Sequence, residues 1–202
     1  MPAHIIPIVE GHGEVSAVPI LIRRIAYSLG IYDAQVGKPI RCPRSKIVKR
    51  SELERAIGLA VRKSQGRGQI LLLIDAESDC PAHLAPTLLE RAKEARGDIP
   101  VAIVLAKQEF EAWFLGSLES IRPGTIPPQN PEEIQGAKER LASLMGTPYS
   151  ETVDQPKLAS QFDMAQARKR CLSFDKCWRA IESLLVAGGA NLNLPGNGAV
   201  PD

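Results

Sequence analysis

Residues 69–79 read Gln-Ile-Leu-Leu-Leu-Ile-Asp-Ala-Glu-Ser-Asp. Ile70 to Ile74 is a continuous apolar run with no polar alternation, the pattern of a strand buried on both faces of a sheet, and it stops at an acid, Asp75. Upstream, the run His4–Val9 ends in the same way at Glu10. It is followed by Gly11, Gly13 and apolar residues at helical spacing (Val15, Val18, Ile22, Ile25, Leu29) as far as Gly30. Downstream, Pro81–Arg96 predicts a helix with Leu84, Leu88, Leu89 and Ala92 inward, and Val101–Ala106 a third strand that delivers Lys107 at its end. Val36–Cys42 is a weaker strand, and Ser51–Ser64 a helix opening on a capping box of Ser51 and Glu54. Alternating strands and helices, with unbroken apolar strands, predict an α/β fold: a parallel sheet of about four strands flanked by helices on both sides.

After Lys107 the character changes. Gln108–Leu118, Pro131–Met145, Gln155–Lys169 and Ser173–Ala187 all carry helical patterns, separated by Pro/Gly-rich loops. The expected organisation is an α/β core over 1–118, a helical subdomain packed on it over 119–187, and a flexible tail over 188–202. At 44% hydrophobic and 24% charged residues the chain lies in the ordinary soluble range. The N-terminal stretch has no basic leader, and no apolar run approaches the roughly 18 residues of a membrane span, so the expectation is a cytoplasmic protein without membrane contact. Cys42, Cys80, Cys171 and Cys177 lack ligand spacing and read as reduced, mostly buried thiols, so neither a disulfide framework nor a structural zinc site is indicated.

Charge is uneven. Residues 38–68 hold ten basic side chains and two acids, so this segment is +8 within a chain of net +2, and the remainder is −6. Such a dipole suits a polyanion whose backbone lies on Arg41, Arg44, Lys46, Lys49 and Arg50 while acids elsewhere hold a cation. A plain solvated helix face gives the same composition.

The carboxyl ends of parallel strands border the crevice where ligands bind, and three successive strong strands end there in Glu10, Asp75 and Lys107. Asp75, Glu77 and Asp79 alternate along an extended segment, which projects them to one side. Two carboxylates about 4 Å apart repel by roughly 4 kcal/mol at an effective dielectric near 20, so protons or a divalent cation must compensate. A cluster of hard oxygens without His or Cys suits Mg²⁺ or Mn²⁺. Lys107 would neutralise a phosphate oxygen, or merely pair with the acids. Asp79 could instead cap the following helix, and Glu14 reads as an acid at the positive end of the first helix. His12 reads as a solvated turn residue, and Trp113 and Trp178 as core.

The Val-Glu-Gly-x-x-Glu stretch (Val9, Glu10, Gly11, Glu14) and the later Asp75-x-Glu77-x-Asp79 block resemble the Toprim domain of topoisomerases, primases and overcoming-lysogenization-defect nucleases. More narrowly, VEGHGE, LLIDAESDCP, VLAKQEFEAWFL, DQPKL and LSFDKCW resemble an uncharacterised bacterial Toprim-like family, domain of unknown function family 4276, over residues 4 to about 186. The resemblance implies a Mg²⁺ held by Asp75 and either Glu77 or Asp79, with Glu10 as ligand or proton-transfer group. It also implies a further downstream acid, for which Glu109 and Glu111 both qualify and Glu111 is preferred.

Three functions follow as expectations. The first is metal-dependent phosphodiester chemistry on nucleic acid, a nuclease or hydrolase of a bacterial defence system. The second is a non-catalytic module that binds nucleic acid or a partner ATPase; a homodimer is compatible with either. A receiver-like phosphoacceptor is disfavoured, because the first strand ends in a single acid followed by Gly11 and a long helical half follows.

Overall fold

The computed structural model describes residues 2–191, so 192–202 of the expected flexible tail lie outside the described residues. Its centre is β4 (Gln69–Asp75), in which every residue is buried, as its unbroken apolar run requires. β4 pairs in parallel with β1 (His4–Val9) on one side and β5 (Val101–Ala106) on the other. Beyond β1 lie two short parallel segments, β2 (Gln35–Val36) and β3 (Ile40–Arg41), giving the order β2-β1-β4-β5 with β3 also against β1. The single strand expected over Val36–Cys42 is thus broken in two. Three residues, Gly37, Lys38 and Pro39, stand opposite only Ile6 and Pro7, and Pro39 has no N–H to give to a ladder.

Alternate residues of the strands feed two cores. Ile5, Val9, Leu71, Leu73, Val104 and Ala106 face α1 (Glu14–Ser28), α8 (Glu151–Gln161) and α10 (Leu172–Ala187). Ile6, Ile8, Ile70, Leu72, Ile103 and Leu105 face α3 (Arg50–Lys63) and α4 (Pro81–Ala95). This is the helix-flanked parallel sheet that the run at 69–75 predicts. Between β3 and α3 lies one turn of helix, α2 (Arg44–Ile47). The Ser51–Glu54 capping box does not form: α3 starts one residue earlier, its N-cap Lys49 makes no side-chain cap bond, and Glu54 pairs with Arg50 at 2.9 Å.

The helical half is more fragmented than its periodicity suggests. Gln108 takes φ +64°, so the polypeptide turns before α5 (Ala112–Leu115) and α6 (Leu118–Ile121). A 3₁₀ turn (Pro131–Glu133) is separated from α7 (Ala137–Met145) by Gly136 at φ +69°, and α8 is parted from α9 (Met164–Arg170) where Asp163 caps the latter, accepting from the Ala165 and Gln166 N–H groups. A buried polar knot ties this half to the sheet. The Glu132 carboxylate accepts from the Ser173 N–H at 2.9 Å and from its hydroxyl, whose Oγ accepts from Trp113 Nε1 at 2.8 Å and the Lys107 N–H at 3.2 Å. Among the described residues, no helix is long and apolar enough to cross a membrane. Cys42, Cys80, Cys171 and Cys177 are all free.

Candidate functional site

β1 and β4 are neighbours, so the acids at their ends are neighbours too. Oε2 of Glu10 accepts from the Asp75 N–H at 3.3 Å, and Oδ1 of Asp75 accepts from the Phe110 N–H at 2.8 Å. Glu14, at the first turn of α1, folds back so that Oε2 accepts from the N–H groups of Glu10 (2.9 Å) and Gly11 (3.2 Å). From the turn after β5, Glu111 enters with zero exposure; its Oε1 accepts from the Tyr149 hydroxyl (3.0 Å) and Gln155 Nε2 (3.1 Å). Four carboxylates from three stretches of the sequence thereby share one end of the sheet.

Their ionisation reports burial first and mutual repulsion second. Burial pushes Asp75 well above its ordinary range, and the Glu14, Glu111 and Glu10 charges push it further while Lys138 opposes. Burial raises Glu14 to about 7 against the Gly11 and Glu10 N–H groups, and raises Glu111 to about 7 against Lys138. Glu10, half-buried, is raised by burial in the face of its Asp75 N–H bond. Two cations lie near: Arg44, whose charge opposes the rise of Glu10, and Lys138, whose Nζ lies 2.7 Å from Glu151 Oε1. Burial works against its charge, but the Glu151 hydrogen bond and the Glu111, Glu151 and Asp75 charges outweigh it and hold the ammonium above its ordinary value.

The expected site residues divide. The structure brings Glu10, Asp75 and Glu111 together, and turns Glu109 away to accept from the Lys138 N–H at 3.2 Å. Glu77 and Asp79 are not buried with them: both side chains are more than half exposed and pair with Arg44, Glu77 at 3.6 Å, although the Glu77 charge still helps to raise Glu10. Glu77 takes φ +49°, which breaks the extended alternation that would have projected all three acids to one side. Asp79 does not cap α4 either, whose N-cap Cys80 has no side-chain cap bond. Lys107 is a correction as well. Its backbone is held by Ser173, its half-exposed ammonium faces Glu133 at 4.0 Å, and Lys138 takes the place beside the acids.

Among the basic residues, Arg44 is 14% exposed and occupied, giving Nε to the Asp75 carbonyl (2.9 Å) and Nη2 to the Ala76 carbonyl (3.1 Å). Arg50 pairs with Glu54 and Glu94. Arg41, Lys46 and Lys49 are exposed. Glu14, Lys138, Tyr149, Glu151 and Gln155 were not legible as site residues. Glu14 and Gln155 lie inside motifs quoted above, but Lys138, Tyr149 and Glu151 carry no local signal.

The donor set suits a hard divalent cation: oxygens only, mostly buried, with Oε2 of Glu111 and Oε1 of Gln155 lacking any hydrogen-bond partner among the described residues. Among the described residues no three His, Cys, Asp or Glu side chains already stand in ligating positions. Glu10, Glu14 and Asp75 are each drawn toward backbone N–H groups, so closing round an ion takes side-chain rotation.

Fold and site together define a parallel α/β protein with an acidic crevice, flanked by Arg41 and Lys138, at the carboxyl ends of its sheet. Residues 9–182 match the family described as Domain of unknown function (DUF4276), and the chain belongs to that family. No curated protein and no solved structure matches it.

Proposed function

We propose that the crevice carries Mg²⁺- or Mn²⁺-dependent phosphodiester chemistry on nucleic acid, as a Toprim-like nuclease. The observation that supports this best is the gathering of Glu10, Glu14, Asp75 and Glu111 at one end of the sheet, with each of the four raised in pKa. Cores do not collect four carboxylates without a use for their negative charge. Asp75 and Glu10 are the first candidates to hold the ion, with Glu111 and the amide oxygen of Gln155 as further oxygens. Bound there, a divalent ion supplies charge stabilisation at the phosphate and a more acidic water. Glu10, half-buried and raised above the ordinary carboxylate value by burial, is the candidate to accept or return a proton at its carboxylate if it does not hold the ion. Lys138 keeps its charge and offers it to a phosphate oxygen. The order of acids, Glu-Gly after the first strand and Asp75 after β4, agrees with the Toprim resemblance; Glu77 and Asp79, which that pattern offers as the second ligand, are paired with Arg44.

The test is cleavage of DNA and RNA by purified protein in Mg²⁺ or Mn²⁺. Cleavage lost on chelation and in both Glu10→Gln and Asp75→Asn is the expected result; cleavage that survives both substitutions removes the proposal. A second reading rests on the missing ready-made ligand trio among the described residues: a non-catalytic module, its acids partly protonated, that binds nucleic acid or a partner ATPase. Stable binding with no turnover in any metal selects it.

A further inference from the structure

The crevice is small and has two walls. It encloses about 240 Å³. One wall is the end of β3, with Arg41 and Pro43; the other is α7 and α8, with Lys138, Glu151 and Gln155. The floor acids are recessed, Glu14 being 4% and Asp75 9% exposed. Helix α8 comes so close that a Cβ on Gly13 would overlap the Glu151 carbonyl and the Gln155 side chain, so the second wall is packed against the turn below it.

The cations on these walls differ in what they have left to give. Arg44 is consumed by backbone carbonyls and acids. Arg41 is exposed and makes no ion pair among the described residues. Lys138 uses one ammonium donor on Glu151, which leaves two. Shortly after Arg41 in the chain, Lys46 and Lys49 are exposed, three residues apart, and likewise without an ion pair among the described residues. Gln155, 3% exposed, lines the same crevice, and its unpartnered Oε1 lies against Gly13. Among the described residues no aromatic ring lines the crevice, so bases find no stacking surface there.

Resting on the phosphodiester proposal, we infer that the substrate is a single nucleic-acid strand, which lowers one phosphate between Arg41 and Lys138 and lays its neighbouring backbone along Lys46 and Lys49, and that intact duplex is not accepted. A duplex carries its phosphates on a stiff convex surface, and its flanking sugars meet the two walls before a phosphate reaches recessed carboxylates. A single strand turns freely about its backbone bonds and can dip one phosphate into the slot. Recognition is then by backbone charge, without a base preference.

The experiment measures fluorescence anisotropy of a labelled strand of about 12 nucleotides, and of the same strand as a blunt duplex, with the full chain in buffered Ca²⁺ over a range of salt. The strand is expected to bind about tenfold more tightly than the duplex. Arg41→Ala is expected to lower the slope of log affinity against log salt by about 0.7, which is about fivefold in affinity per decade of salt. Lys138→Met should act in the same direction, and its melting curve shows whether it is folded; Arg41 is exposed, so its variant carries the test alone if Lys138→Met unfolds. Equal affinity for strand and duplex overturns the inference, as does an unchanged slope in Arg41→Ala. Duplex bound and cut in Mg²⁺ leaves the nuclease proposal standing and removes the single-strand inference. Strand-selective binding with the expected slopes but no cleavage keeps the single strand as the ligand of the crevice and removes catalysis.

Discussion

Replacing Glu111 by Gln tests the burial of an acid in the site without any ligand. Glu111 has zero exposure and is raised from 4.5 to about 7, chiefly by burial. That gap corresponds to about 3 kcal/mol between its neutral and ionised forms in the folded protein. Because the folded value is the higher one, the neutral carboxyl favours the native state: its contribution is present in full below about 4.5 and is lost once the pH has risen through about 7. The amide of the Glu111→Gln variant keeps an acceptor for the Tyr149 hydroxyl and cannot ionise. Urea denaturation in chelator from pH 4.5 to 8 should therefore find the variant gaining on the native protein by about 3 kcal/mol across the range, or about 6–12 °C in Tm. A constant difference between the two proteins at every pH, or a native protein that gains on the variant as pH rises, refutes the idea that Glu111 is ionised against its surroundings.

Three further outcomes follow from particular contacts. Gly13→Ala drives a Cβ into the Glu151 carbonyl and should cost about 1–3 kcal/mol in a thermal melt, whereas Gly58→Ala in α3, where the Cβ meets only Arg62 Nη1 at 3.7 Å, should be neutral or stabilising. Arg44→Ala removes two hydrogen bonds to the Asp75 and Ala76 carbonyls and should destabilise by about 1–3 kcal/mol, yet leave the salt slope of strand binding unchanged because that guanidinium is already occupied. Glu132→Ala strands the Ser173 N–H and hydroxyl in the core, for a loss of about 1–3 kcal/mol in chemical denaturation, and Glu132→Gln should restore most of it.

The parts of the fold that were legible in the sequence are those with short-range physics. Unbroken apolar runs place β1, β4 and β5, and the acid that ends a buried strand has nowhere to go but the crevice, so Glu10 and Asp75 were readable from position alone. Glu14 was not, because an acid in the first turn of a helix looks the same whether it faces solvent or folds back onto the Glu10 and Gly11 N–H groups. Glu77 and Asp79 misled because their alternation assumes extended backbone, and φ +49° at Glu77 ends it. Lys138, Tyr149, Glu151 and Gln155 reach the site through the packing of α7, α8 and the loop between them, for which the local hints are the DQPKL motif that holds Gln155 and the glycine at position 13 that lets α8 approach. Lys107 stands at the right strand end, but Ser173 holds its backbone and its side chain faces Glu133.

Calorimetric titration of Mn²⁺ into the native protein and into Asp75→Asn, each in two buffers of different protonation enthalpy near pH 7, addresses the crevice itself. Binding to the native protein with release of protons from the raised carboxylates, weakened at least about tenfold by the substitution, is the expected result. No binding heat in the native protein, or the same heat in both, would mean that these four acids gather for some purpose other than holding a cation.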